Sequence, residues 1–295
     1  MNSDYAASAL AAGDTVRVVA ARTTALVSEA QARHGCSPTV TAALGRLLTG
    51  AALIGSSSSG HERITLQVVA DGPVRGLVAE VRPGGRVRGY PGRPGADVPL
   101  SAAGKFDVGA VVGRGFLNVT RIYETGQPYT SSVPLQTGEI GDDLAYFFAH
   151  SEQIPSVVAV GVLANPQGVL AAGGILAQLL PGADLDVTGA LEKAARSLPH
   201  VSGLVRRGLT PEQLVNELAG ALNPRVTHLQ PLEFACRCSR ERVAKVVVGL
   251  GRAELSAMAR AREDTDVRCD FCGQHYCFSP EDIQEILESA GDEAM

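Results

Sequence analysis

The sequence predicts an α+β protein: an antiparallel sheet with helices packed on it, then a helical stretch, then a small cysteine-bearing domain. Three observations carry this reading. Short β-branched runs are separated by turns too brief for a crossover, so neighbouring strands must be antiparallel. Helical patterns are few and segregated from the strands. Five of the six cysteines crowd into residues 236–277. At 295 residues the chain is about twice the commonest domain size, which favours more than one folding unit.

In chain order, residues 15–20, 64–69, 74–81 and 86–90 read as strands, set off by Asp71-Gly72-Pro73 and Pro83-Gly84-Gly85. Residues 108–112, 116–122, 157–163 and 169–176 continue the pattern, giving a meandering antiparallel sheet. Two helices interrupt it. Ser37-Pro38 supplies an N-cap and an N1 proline for an Ala/Leu-rich helix to about Ile54. Residues 139–150 form the second, with acids in its first turn. The run Ser56-Ser57-Ser58-Ser59-Gly60 reads as a flexible loop.

Beyond Leu180 the strand signal disappears. Residues 185–198 and 211–222 are modestly amphipathic and broken by Pro199, Gly208 and Pro224. A few short helices bury little alone, so residues 181–232 are a connector that depends on its packing partner. The domains expected are therefore 1–180, 181–232 and 233–295.

Composition narrows the function. Hydrophobic residues at 45% and charged residues at 19% are globular stock rather than disorder. With aromatics at 4% and no Trp, the core must be Val, Leu, Ala and Ile. A net charge of −5 argues against nucleic acid held by bulk electrostatics. The best apolar run, residues 169–180, is broken by Gly173 and Gly174, so no membrane span is expected. Met1-Asn2-Ser3-Asp4 has no signal-peptide character, which places the chain in the cytoplasm, where thiols stay reduced.

The cysteines are spaced Cys236-x-Cys238, thirty residues, then Cys269-x-x-Cys272. Two short pairs across a helix-sized gap can converge on one tetrahedral Zn²⁺. The alternative is four buried thiols used as small hydrophobes. A terminal domain of about 60 residues with few large apolar side chains sits near the limit for folding unaided, and a metal would remove that difficulty. Ser239 is placed to cap a helix over residues 240–250, Leu255 and Met258 share a face of a second, and Ser279-Pro280-Glu281-Asp282 opens a third. Arg237, Arg240, Arg242 and Arg268 are near enough in sequence to offset a four-thiolate site of charge −2. A disulfide across Cys-x-Cys would close a very small ring and so be readily reduced.

The run Phe234-Ala235-Cys236-Arg237-Cys238-Ser239-Arg240-Glu241-Arg242, with Leu250-Gly251, Glu254-Leu255, Met258, Cys269-Asp270-Phe271-Cys272, Tyr276 and Phe278, resembles the zinc domain of the heat-shock protein 33 family. Earlier segments agree with that family, among them Arg63-Ile64-Thr65-Leu66-Gln67, Arg88-Gly89-Tyr90, Ser132-Val133-Pro134-Leu135 and Gln178-Leu179-Leu180-Pro181-Gly182. The resemblance implies a redox-regulated bacterial holdase chaperone without enzymatic turnover. In the reduced form Cys236, Cys238, Cys269 and Cys272 would hold one zinc per chain and the chaperone would be off. Oxidation would pair Cys236 with Cys238 and Cys269 with Cys272, release zinc and unfold the C-terminal domain. The connector would then loosen and expose apolar surface to unfolding client proteins, without ATP, in a form that is a homodimer.

Two other classes compete. A zinc-ribbon adaptor or nucleic-acid binder would use the seven basic residues of 236–262, although the following stretch, 263–295, carries ten acids and one base. A thiol–disulfide oxidoreductase would use Cys269-Asp270-Phe271-Cys272, although such motifs open a helix and this one follows a strand-like Asp266-Val267-Arg268. His275 or Cys277 could compete for zinc, but alternation places Tyr276 and Phe278 inward and these two outward. Cys36 beside His34 has no third orienting group and reads as structural. Glu139, Asp142 and Asp143 favour a helix N-terminus rather than a metal. His61, His150, His200 and His228 are scattered and carry no role.

Overall fold

A computed structural model describes residues 3–58, 61–102, 104–165, 167–261 and 263–292, without the side chains of His61, Glu62 and residues 290–292. The N-terminal residues 1 and 2, and Ser59 and Gly60 of the expected loop, lie outside the described residues. The chain divides into two compact units, Met1–Ala235 and Cys236–Met295.

The first unit runs β1 (Tyr5–Ala11), β2 (Val16–Arg22), α1 (Thr24–His34), α2 (Pro38–Ser57), β3 (His61–Ala70), β4 (Leu77–Arg82), β5 (Arg86–Pro91) and α3 (Val108–Val112). It continues with β6 (Gly115–Tyr123), β7 (Tyr129–Pro134), α4 (Gly141–His150), β8 (Ser156–Asn165) and β9 (Gly168–Leu179). Then follow α5 (Leu185–Ser197), α6 (Val201–Arg206), α7 (Pro211–Ala219), β10 (Arg225–Pro231) and β11 (Glu233–Phe234). The α+β class holds, but the strands form two sheets rather than one meander. Their orders are β10-β1-β2-β9-β8 and β11-β5-β4-β3-β6-β7. All pairings are antiparallel except the short β11–β5 contact.

Helix α2 joins the sheets. It starts as the sequence predicts, with the Ser37 hydroxyl accepting from the Val40 N–H and Pro38 at its first position. It packs on β2, β8 and β9 of one sheet and on β4 and β5 of the other. A helix buried on two sides cannot be amphipathic, and 15 of its 20 residues are buried. Glycines permit the close approach: a Cβ on Gly45 would stand 2.6 Å from Val27 Cγ1, and one on Gly50 2.5 Å from Leu144 Cδ1. This helix is long and apolar enough to cross a membrane by composition, contrary to the expectation that no segment is, yet 89% of the span is inside the protein. Ser56 and Ser57 belong to its last turn rather than to a loop.

Residues 108–112 form α3 and not the expected strand. The Asp107 carboxylate accepts from the Ala110 N–H and Glu139 from the Gly109 N–H, so caps override the β-branched valines. In the first turn of α4, the buried Asp143 carboxylate accepts from the N–H groups of Gln136, Thr137, Gly138 and Ile140 just before the helix. The acids there build a helix start, as expected.

The connector's helices lie over the five-stranded sheet. Leu191, Val201, Leu204, Val205, Leu214, Val215 and Leu218 form one apolar cluster with Ala9, Val16, Val18, Ala20, Ala171, Ile175 and Ala177. The Tyr5 hydroxyl donates to Glu212 on α7 at 2.7 Å. The sequence reading found no strand between residues 181 and 232, whereas β10 lies there and adds the outer edge to β1. An almost wholly exposed strand has no hydrophobic alternation to announce it.

The second unit comprises α8 (Arg240–Val248), α9 (Arg252–Arg260), the hairpin β12 (Thr265–Arg268) and β13 (His275–Phe278), and α10 (Pro280–Asp292). Its buried apolar cluster among the described residues is Val243, Val247, Leu255, Phe278 and Ile283. Five such side chains are a thin core for a unit of this length.

Candidate metal centre

Each cysteine pair is shaped by its own local structure. After Cys238 the chain is extended at Ser239, whose hydroxyl accepts from the Arg242 N–H and starts α8. Arg242 reaches back to donate to the Arg237 carbonyl at 2.7 Å, fixing the residue between the two cysteines. The second pair sits in the turn of the β12–β13 hairpin. The Cys269 N–H donates to the Gln274 carbonyl at 2.9 Å and the Gly273 N–H to the Cys269 carbonyl at 2.8 Å. Gly273 takes φ +71°, a left-handed conformation that favours glycine. The turn aims the amides of Phe271 and Cys272 at the Cys269 sulfur and that of Gln274 at the Cys272 sulfur.

The four sulfurs converge. Cys236 Sγ is 3.8 Å from Cys269 Sγ, and Cys238 Sγ is 3.3 Å from Cys272 Sγ. All four lie within 4.8 Å of one another. Zinc–sulfur bonds of about 2.3 Å in a tetrahedron put sulfurs about 3.8 Å apart, so the arrangement fits a four-thiolate ion without rearranging the chain. Burial pushes the Cys269 and Cys272 thiols up, so without a cation they stay protonated. A bound cation reverses that balance.

The surroundings tie this cluster to the small core. The Tyr276 hydroxyl donates to Cys238 Sγ at 3.1 Å while its ring packs on the apolar cluster. Arg240 pairs with Asp282 at 2.7 Å, donates to the Cys277 carbonyl at 2.6 Å, and stacks over Phe278 at 4.4 Å. Arg240 and Arg242 are thus engaged with carbonyls, an aspartate and a ring, and Arg237 and Arg268 point outward. Backbone amides donate to the Cys269 and Cys272 sulfurs and the Tyr276 hydroxyl to that of Cys238. Sequence reasoning placed Tyr276 inward but missed its hydroxyl. The signal available was its position opposite Val267, one turn of hairpin from the cysteines.

The remaining candidates fall away from the cluster. His275 Nδ1 lies 2.7 Å from Asp266, and the Cys277 thiol donates to Asp264 at 3.4 Å; both are exposed. Among the described residues the four-cysteine group is the one metal-ligand cluster. Cys36 is buried in the first unit and its thiol is pushed up to about 12, while His34 shares a hydrogen bond with the Gly89 carbonyl.

Comparison with known proteins agrees with this geometry. The family profile described as Hsp33 protein matches residues 4–279. The chain belongs to the Hsp33 family. It is 39% identical over 286 residues to the 33 kDa chaperonin of Desulforamulus reducens, covering 97% of each chain. It is 40% identical over 289 residues to that of Bacillus cytotoxicus, covering 97% of this chain and 99% of the relative. The crystal structure of the 33 kDa chaperonin (heat shock protein 33 homolog) from Thermotoga maritima superposes with a TM-score of 0.92 at 34% identity, covering 99% and 100% of the two chains. Hsp33 membership accounts for the fold of both units.

Proposed function

We propose that this Hsp33 chain is a redox-regulated, ATP-independent holdase of the cytoplasm, idle while Cys236, Cys238, Cys269 and Cys272 hold one Zn²⁺. The observation that carries the reading is four converging sulfurs in a unit whose own core is five buried side chains. When bound, zinc supplies the charge that keeps the thiols ionised and a binding free energy on the order of 10–16 kcal/mol, which in small zinc modules is folding free energy.

Under oxidant, Cys236 pairs with Cys238 and Cys269 with Cys272. The sulfurs then no longer ligate, and the second unit unfolds. Residues 181–232 act as the redox-sensitive connector between a chaperone core, 1–180, and the switch, 233–295. Once loosened, the connector bares the apolar face of β1, β2 and β9 and its own helices to unfolding clients, and the active form is a homodimer. The adaptor reading loses support because Arg240 and Arg242 are engaged within the unit. The oxidoreductase reading loses support because Cys269 and Cys272 close a hairpin rather than open a helix.

The test is zinc per chain before and after peroxide with mild heat, alongside aggregation of a thermally unfolding client without ATP. One zinc is expected to be released as protection appears. Full protection by reduced, zinc-loaded protein would overturn the switch.

A further inference from the structure

We propose that the Tyr276 hydroxyl is a brake on oxidation of Cys238, and so helps set the oxidant level at which the switch opens. The inference rests on the thiolate reading above and concerns a residue that is not itself a ligand. Three observations lead to it. The Tyr276 hydroxyl donates to Cys238 Sγ at 3.1 Å, well within the reach of an O–H···S bond. The ring that carries it is held from below by the apolar cluster of the second unit and stands opposite Val267 in the hairpin, so the donor cannot swing away without disturbing packing. The strand that bears it also carries Phe278, which is fully buried and stacked under Arg240. Tyr276 is therefore a fixed donor.

The chemistry follows from where the hydrogen bond lands. Oxidation by a peroxide requires a sulfur lone pair to attack a peroxide oxygen. The S–O bond forms as the O–O bond breaks, sulfur gives up two electrons, and hydroxide leaves and takes a proton from solvent. The resulting sulfenic acid condenses with the neighbouring Cys236 thiolate: the S–S bond forms as the S–O bond breaks, and hydroxide leaves and takes a proton from solvent. A hydrogen bond to the sulfur draws on the same electron density that the first step needs, and it is weakened as that density moves to oxygen. Hydrogen bonds to charged acceptors are the stronger kind, and part of this one is lost at the transition state. Second-layer donors to metal ligands act in the same sense.

Tyr276→Phe keeps the ring and removes the donor. In the full-length reduced protein loaded with cobalt(II), the variant is expected to shift the thiolate-to-metal charge-transfer band to lower energy. In the zinc-loaded protein, the rate of peroxide-driven disulfide formation at Cys238, read by peptide mass after alkylation, is expected to rise about fivefold. His275→Gln breaks the exposed contact to Asp266 on the same hairpin without touching the Tyr276 ring or hydroxyl, and is expected to leave both readouts unchanged. Site-specific 3-fluorotyrosine at position 276, a stronger donor of nearly the same shape, is expected to move both in the opposite direction to Phe and decides the matter should the Phe variant not hold metal. Equal spectra and rates in wild type and Tyr276→Phe, or an equal acceleration by His275→Gln, would overturn the brake while leaving the metal site standing. Absence of any cobalt–thiolate absorption in the wild type would overturn the metal reading itself.

Discussion

Leu214→Ala is the most direct probe of the connector. Leu214 lies on α7, is fully buried, and packs in the cluster formed with β1 and β2. Truncating a buried leucine costs about 2–5 kcal/mol, from lost transfer energy and the cavity left behind. At about 3 kcal/mol, and with 1.4 kcal/mol per factor of ten, the population of detached connector rises roughly a hundredfold. The cost falls on the docked state, because Leu214's apolar cluster is separate from the one that α2 forms with the six-stranded sheet. Hydrogen exchange in the reduced, metal-loaded protein should therefore accelerate by about that factor in α5–α7 and leave α2 amides unchanged. Client protection should also begin at lower oxidant than in the wild type. Unchanged exchange in α7, or an equal acceleration in α2, would refute the view that the connector is held as a separable layer.

Other expectations can be checked in the same preparations. Cys269→Ser removes one of four converging sulfurs and should abolish tight zinc binding, leaving residues 236–295 with exchange-unprotected amides even in reductant; retained zinc at one per chain would contradict the ligand set. Cys36, with its thiol pushed up to about 12 by burial, should resist iodoacetamide in the folded protein and react only after guanidinium unfolding, with peptide mass as the readout. Asp4 supplies a pH signature. Desolvation raises its carboxyl to about 6 from 3.8, even though Arg22 stands 3.9 Å away, since neither Asp4 Oδ1 nor Arg22 Nε completes a hydrogen bond. A folded-state value above the unfolded one means the native chain binds the extra proton, so stability should fall as pH rises from about 4 to 6 and level off above. Asp4→Asn keeps an acceptor for the Leu26 N–H and should flatten that slope in urea titrations of unit 1.

How much of this was legible in the sequence depended on what kind of signal each element carries. Ser37-Pro38, Ser239 and Ser279-Pro280 begin helices through local capping chemistry, and those helices start where their caps lie. The cysteine spacing likewise encodes convergence locally, since a hairpin turn and a helix cap are enough to aim the two pairs. The β1 segment, Tyr-Ala-Ala-Ser-Ala-Leu-Ala, has helix-forming composition and is a strand because β2 and β10 pair with it on both sides. That information is stored in distant residues. Residues 108–112 misled in the opposite direction, because the valines say strand while Asp107 and Glu139 supply the caps of a helix turn. The membrane-length character of α2 went unremarked because its threonines and glycines interrupt the apolar run, although two sheets bury it all round. At the cysteine cluster, sequence spacing shows which sulfurs can converge, but only coordinates reveal the backbone amides and the one phenol that donate to them.

The pairing of β1 with β10 joins Tyr5 to Pro231. A ribosome adding roughly 5–20 residues per second needs about 10–45 s to deliver the second partner after the first has emerged. Throughout that interval the outer edge of β1 presents bare N–H and C=O groups beside an alanine-lined face, the kind of edge on which foreign strands nucleate. This Hsp33 chain is thus born with such an edge of its own, closed only when residue 231 has been translated.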